Sequence, residues 1–103
     1  MNHFHRTTVV PDAALAEADA FFPTIGMKQA AATARTRRFE GTVGEPGEPA
    51  TLELSVKMEG GHYTFVEART SAQGESRLDR GVKTYFTRLH KMADPRYALS
   101  ASY

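Results

Sequence analysis

Residues 50–70 read "ATLELSVKMEGGHYTFVEART" and give the clearest structural signal in the chain. In the first half of this segment apolar and polar residues alternate, which is the period of a strand with one buried face. The paired glycines Gly60 and Gly61 allow the positive φ angles of a tight turn. The chain then returns as a second strand, with Tyr63 and Phe65 on one face. The segment therefore predicts a β-hairpin within an antiparallel sheet.

The N-terminal stretch "HFHRTTVV", residues 3–10, predicts a further strand because it is rich in aromatic and β-branched residues. Its alternation places His3 and His5 on one face and Phe4 and Arg6 on the other. Which of these two faces is buried does not follow from the sequence.

Residues 11–26, "PDAALAEADAFFPTIG", predict a helix because Leu15 and Phe22 belong to a set of apolar residues at helical spacing. Asp12 is the expected N-cap, since its carboxylate can accept hydrogen bonds from the first turn. Pro23 cannot continue the backbone hydrogen-bond ladder, so the helix is expected to end near Phe22.

A second helix is expected from about Ser76 to Met92. Ser76 and Asp79 have the spacing of a capping box. One apolar stripe with 4-3-4-3 spacing follows, and it consists of Leu78, Val82, Tyr85, Leu89 and Met92. Between the first helix and the hairpin, residues 32–43 predict one strand from their threonines, Phe39 and Val43.

These elements follow the order β-α-β-β-β-α, which predicts an α+β fold with an antiparallel sheet and two helices packed on one face. We expect a single domain over residues 1–93. Residues 94–103 are expected to form a C-terminal tail or a short extra strand.

Composition narrows the class of protein. The chain has no cysteine and no apolar run near the ~20 residues that cross a bilayer, and its N-terminus lacks a secretory pattern. We therefore expect a cytoplasmic protein without membrane contact. Residues 40–75 hold seven acidic and two basic side chains, a net charge of −5, whereas residues 76–103 hold six basic and two acidic ones, a net charge of +4.

Few residues indicate catalysis or metal binding. The α-amine, two backbone amides and His3 of "MNH" could form a square-planar copper or nickel site, but this pattern arises easily by chance. Glu53 and Glu67 are expected on adjacent strands, on a polar face without enclosure. No nucleophile, phosphate-loop or dinucleotide motif is present. We therefore predict no enzyme, no metal and no cofactor.

The basic second helix is the strongest functional feature. Its basic side chains lie outside the apolar stripe, and Asp79 is its only acid, so pairing along the helix cannot account for them. The expected phosphate contacts on this helix are Arg77, Arg80, Lys83, Arg88 and Lys91. A second basic patch is expected at Arg35, Arg37 and Arg38. Apart from Phe39, aromatic residues are not interleaved with these charges, which favours structured RNA over stacked single strands.

Residues 50–92 resemble the ribosome hibernation-promoting factor family. They share its order of strand, glycine-containing hairpin, strand ending in "VEART", acidic turn and helix, and within the helix its apolar-Asp pair followed by basic positions. The first helix is shorter than the family's and carries Glu17 and Asp19. The resemblance implies binding to ribosomes.

The leading hypothesis is a non-catalytic RNA- or ribosome-associated binding module. One alternative is a protein-interaction or self-associating domain, including a homodimer, in which the polar sheet face or the opposite charges make the contact. Another is a small-ligand-binding domain of helix-grip type, with the ligand between helix and sheet.

Overall fold

The computed structural model describes residues 1–43, 47–71 and 76–94, and these residues form an antiparallel sheet of five strands with two helices. The strands are β1 (Asn2–Thr7), β2 (Met27–Ala32), β3 (Thr36–Val43), β4 (Glu48–Glu59) and β5 (Tyr63–Thr70), and the helices are α1 (Pro11–Phe21) and α2 (Arg77–Ala93). The strand order across the sheet is β1-β5-β4-β3-β2. The predicted α+β class and antiparallel sheet are confirmed, and the predicted elements occur in the predicted order with one additional strand, β2.

The hairpin predicted from residues 50–70 is present as β4 and β5. The two strands pair antiparallel down to Glu59 opposite Tyr63. Gly60 and Gly61 in the connecting turn have φ angles of 59° and 73°, the left-handed region that glycine adopts without steric cost. The predicted turn is therefore confirmed together with its physical reason.

The strand predicted over 32–43 is present as β3, and the sequence missed β2, which precedes β3 and pairs with it as a hairpin. The Thr33 hydroxyl accepts hydrogen bonds from the N–H groups of Arg35 and Thr36, at 3.3 and 3.1 Å, and these bonds close the turn. The alanine-rich β2 lies at the edge of the sheet with most of its side chains exposed. Such a strand buries little apolar surface, so it lacks the alternation that reveals strands in a sequence.

Helix α1 begins two residues earlier than an N-cap at Asp12 would place it, and Asp12 is not its N-cap. The N-cap is Val10 and Pro11 occupies the first helical position, where its missing N–H costs nothing and its φ angle already suits a helix. The helix ends at Phe21 as expected from Pro23, and a 3-10 turn, Phe22–Ile25, follows it.

Both helices cover the same face of the sheet, and large aromatic side chains fill the space between. The Phe22 ring lies 5.2 Å from the rings of both Phe39 and Tyr85. The Tyr85 hydroxyl donates a 2.7 Å hydrogen bond to the Ala14 carbonyl, which joins the two helices. Burial, with Glu17 and Asp19 nearby, raises the pKa of Tyr85 above its usual value. The rings of Phe22, Phe39 and Tyr85 therefore pack together where the helices meet the sheet.

Within the described ranges no helix has the length and apolar character needed to span a membrane. Residues 95–103, which include most of the predicted tail or extra strand, lie outside the described part of the chain.

Candidate nucleic-acid interface

Helix α2 separates its apolar and basic side chains cleanly. Four residues of the predicted stripe are buried, and they are Leu78, Val82, Tyr85 and Leu89. The prediction was wrong for the fifth residue of the stripe, Met92. This residue is 46% exposed because it lies in the last turn of the helix. The inward face of α2 is therefore shorter than its sequence pattern.

The side chain of Asp79 is fully buried on the inward side of α2, where four polar groups contact its carboxylate. Its oxygens accept hydrogen bonds from the Ser76 N–H and hydroxyl, at 3.0 and 2.7 Å, and from the Thr70 hydroxyl at 2.7 Å. The Nε2 atom of His3 donates to the same carboxylate at 2.7 Å. The Ser76 hydroxyl also accepts from the Asp79 N–H, so the predicted capping box is confirmed.

These contacts keep Asp79 ionised. Burial alone would raise its pKa, but the hydrogen bonds from Ser76, His3 and Thr70 outweigh burial and lower the pKa from 3.8 to about 2. Asp79 thus joins α2 to β5 through Thr70 and to β1 through His3, and its carboxylate is not exposed on the outer surface of the helix.

The outward face of α2 carries the predicted basic residues. Arg77, Arg80, Lys83 and Lys91 are all exposed on it. The exposed residues Thr84 and Thr87 lie among them, with their hydroxyls donating to carbonyls one turn earlier. Since Asp79 points inward, this face presents positive and neutral side chains with no carboxylate of its own helix. We call these four basic residues the α2 cation face.

Arg88 contacts the first helix. Its guanidinium pairs with the Glu17 carboxylate on α1, and its Cζ atom lies 5.3 Å from the centre of the Phe21 ring. These contacts hold Arg88 against α1, which the sequence could not show because the two residues are far apart along the chain.

The predicted second patch is divided between the two sides of the sheet. Arg37 lies on the helix side, where its Nε donates to Asp19 at 2.9 Å, and Arg35 lies 3.6 Å from Asp12 at the start of α1. Arg38 lies on the opposite side and contacts Glu40 and Glu53. The period of β3 explains this division, because consecutive strand residues point to opposite faces.

The two N-terminal histidines face α2. The amine of Met1 donates to the Thr70 carbonyl at 2.9 Å and His3 binds Asp79, so two donors of the hypothetical copper site have partners in the fold. In the described ranges, no group of three or more His, Asp or Glu side chains could hold a metal ion.

His5 stacks on Phe86 at 5.0 Å, and its buried Nε2 atom has no hydrogen-bond partner among the described residues. Burial, reinforced by His90, lowers its pKa. The face of β1 that carries both histidines is therefore the covered face.

The opposite side of the sheet holds aromatic residues that the sequence reading missed as a cluster. Phe4 and Phe65 stack at 5.6 Å, and Arg6 and Lys57 lie 4.9 and 5.4 Å from the Phe65 ring centre. Alternation assigned Phe4 and Phe65 to strand faces, but only the pairing of β1 with β5 brings them together. Phe39, the one aromatic noted beside basic residues, is fully buried in the core.

Glu53 and Glu67 lie on adjacent strands, as expected, in diagonal positions: Glu53 is opposite Arg69 and Glu67 is opposite Ser55. Both line a shallow hollow of about 310 Å³ on the uncovered side of the sheet. Arg38 and Arg69 lie 3.1 and 4.0 Å from the Glu53 carboxylate. Each of these groups is at least partly exposed, so the pair of carboxylates lies at an open surface.

Comparison with models of known protein families gives no match, and no curated protein matches the chain. The similarity of residues 50–92 to the hibernation-promoting factor family therefore remains a resemblance in sequence pattern.

Proposed function

We propose that this chain is a non-catalytic, cytoplasmic RNA-binding module that contacts phosphates through the α2 cation face. The observation that carries the proposal is the burial of Asp79. Because the only acid of α2 is turned inward and satisfied by Ser76, Thr70 and His3, the outer surface of the helix is positive. A surface of this kind attracts phosphates and releases their counterions.

Structured RNA fits the α2 cation face better than unpaired strands do. Apart from His90 beside Lys83, the exposed side chains along the face are basic or threonine, so they offer charge and hydroxyl contacts and no Phe, Tyr or Trp ring for base stacking. A-form RNA is recognised mainly through its shape, phosphates and 2′-hydroxyls. The resemblance to the hibernation-promoting factor family makes ribosomal RNA the first partner to test.

The test is a gel-shift titration with a structured ribosomal RNA fragment, together with co-sedimentation with ribosomes. If the four residues of the α2 cation face each neutralise one phosphate, affinity should fall by about 10² between 50 and 200 mM salt. The double variant Arg80→Glu/Lys91→Glu should lose binding while retaining the circular dichroism spectrum of the parent chain.

Lys28→Glu is the matched control, because Lys28 is an exposed basic residue on the edge strand β2, away from α2. It should retain most of the affinity. Absence of salt-sensitive binding by the parent chain, or equal losses in the control and the α2 variant, would overturn the proposal.

A further inference from the structure

The side of the sheet opposite the helices, here called the open face, is balanced in charge. Among the described residues it carries five basic and four acidic side chains, and these are Arg6, Lys28, Arg38, Lys57 and Arg69 with Glu40, Glu53, Glu59 and Glu67. Several are already paired within the chain, as in the 2.8 Å contact between Arg6 and Glu59. A polyanion gains little from such a surface, whereas a partner with the same mixed pattern fits it.

The open face also has a raised part and a hollow. The raised part is the Phe4–Phe65 stack on β1 and β5, in which Phe4 is 53% exposed. The hollow is lined in part by small side chains on β2, β3 and β4, namely Ala31, Thr36 and Ser55. The two features lie about two strand spacings apart, roughly 10 Å. One face therefore contains both a protrusion and a recess for it.

The strand register arranges the open face in rows that run across β1, β5, β4 and β3. The first row is Asn2, Arg69, Glu53 and Arg38, and the second is Phe4, Glu67, Ser55 and Thr36. The third row is Arg6, Phe65 and Lys57. Each row therefore has members on both sides of the line between β5 and β4.

A second copy can be placed by a twofold axis that runs parallel to the strands, above the line between β5 and β4. About this axis, each row of one copy is complementary to the same row of the other copy. This rotation superposes β5 of one copy on β4 of the other, and β1 on β3. Arg69 then faces the partner subunit's Glu53, and Phe65 faces the partner subunit's Lys57. Phe4 enters the hollow above the partner subunit's Thr36. Each of three contacts therefore occurs twice in the interface: a pair of opposite charges, a cation beside an aromatic ring, and an aromatic side chain in a recess.

We propose that the open face is the interface of a homodimer in which two sheets pack face to face about this axis. Four strands of each copy, β1, β5, β4 and β3, overlap about this axis. With a spacing of about 4.8 Å and a length of about 26 Å they present roughly 500 Å² in projection, and side-chain relief increases the accessible area towards the ~800 Å² per partner of a standard interface. The dimer leaves the α2 cation face of each copy exposed on the outside, so it is independent of the proposed RNA contact.

The test uses complementary charge reversals and analytical ultracentrifugation. Glu53→Arg places Arg69 opposite an arginine, and Arg69→Glu places Glu53 opposite a glutamate, so each variant alone should dissociate at least tenfold more readily than the parent. In an equimolar mixture, both contacts between the two different variants are again Arg to Glu. The mixture should therefore recover the dimer.

Asp12→Arg is the matched control, since Asp12 is an exposed acid on the helix side and its reversal should leave the dimer intact. Phe4→Ala should weaken the dimer without changing RNA affinity. Circular dichroism verifies that each variant is folded. A parent chain that stays monomeric at 100 μM or folded variants that do not recover the dimer on mixing would overturn the proposal, as would an RNA affinity that falls with Phe4→Ala.

Discussion

The two faces of the sheet are made by alternate residues of the same strands, yet they differ in how far their polar groups and aromatic rings are buried. On the covered face Phe39 of β3 packs with Phe22 and Tyr85 from the helical layer, and all three rings are fully buried. In the same layer the Asp79 carboxylate accepts hydrogen bonds from Ser76, Thr70 and His3. On the open face Phe4 is half-exposed and charged pairs lie in contact with solvent. The comparison indicates that the covered face supplies stability, whereas the open face leaves its charged and aromatic side chains in contact with solvent.

The largest expected difference between the faces is the cost of deleting an aromatic ring. Phe22→Ala should lower the free energy of unfolding by about 3–5 kcal/mol, because it leaves a cavity among fully buried rings. Phe4→Ala removes a half-exposed ring stacked on Phe65 and should cost less than about 1 kcal/mol.

Urea titrations at two protein concentrations measure both values and separate folding from assembly. Similar losses for the two variants would mean that the open face is as tightly packed as the covered one.

A smaller effect is expected from acid. The pKa of Asp79 is 3.8 in the unfolded chain and about 2 in the folded one, so its ionised form stabilises the fold by about 2 kcal/mol at neutral pH. That contribution is present above pH 3.8 and is lost as the pH falls towards 2. Asp79→Asn should destabilise the protein at pH 7 and flatten the pH dependence of unfolding below pH 4.

Asp12→Asn serves as the control, because Asp12 is exposed and does not cap its helix. Its unfolding curves should keep the acid slope of the parent chain. If the slope persists in Asp79→Asn, other carboxylates are responsible for it.

The smallest expected difference concerns two consecutive arginines. Arg37 has 17% side-chain exposure and donates to the carbonyls of Thr33 and Thr36, at 2.6 and 2.9 Å, as well as to Asp19. Arg37→Ala should therefore cost about 1–2 kcal/mol. Arg38→Ala removes an exposed ion pair of the open face and should cost less than about 0.5 kcal/mol.

Thermal unfolding of the two variants, followed by circular dichroism, provides this comparison. The reverse order of stabilities would show that the open-face ion pairs contribute more to folding than the turn contacts of Arg37.

Sequence patterns with a local cause were predicted well. The alternation of Leu52, Leu54 and Val56 is preserved as the buried face of β4, and Gly60 and Gly61 form the turn that follows it. The capping box of Ser76 and Asp79 is likewise a relation between residues three positions apart. Each of these signals depends only on backbone geometry within a few residues.

Predictions failed where the local signal was weak or ambiguous. The alanines of β2 carry no alternation because an edge strand buries little, so the strand was not recognised. Asp12 is a typical N-cap residue, but Pro11 suits the first helical position and the helix began there instead. The resemblance to the hibernation-promoting factor family, like the RNA contact itself, stays a prediction.

By itself, the sequence determined the α+β class, the hairpin, the amphipathic α2 and the positive charge of its outer side, because these follow from residue spacing. Only the tertiary structure decided the order β1-β5-β4-β3-β2. That order brings Phe4 to Phe65, sets Arg69 beside Glu53, and carries His3 to Asp79, which is 76 residues away in the chain. Such contacts depend on which strands become neighbours. The strand order is decided by the packing of the whole chain, which residue spacing within a short segment does not reveal.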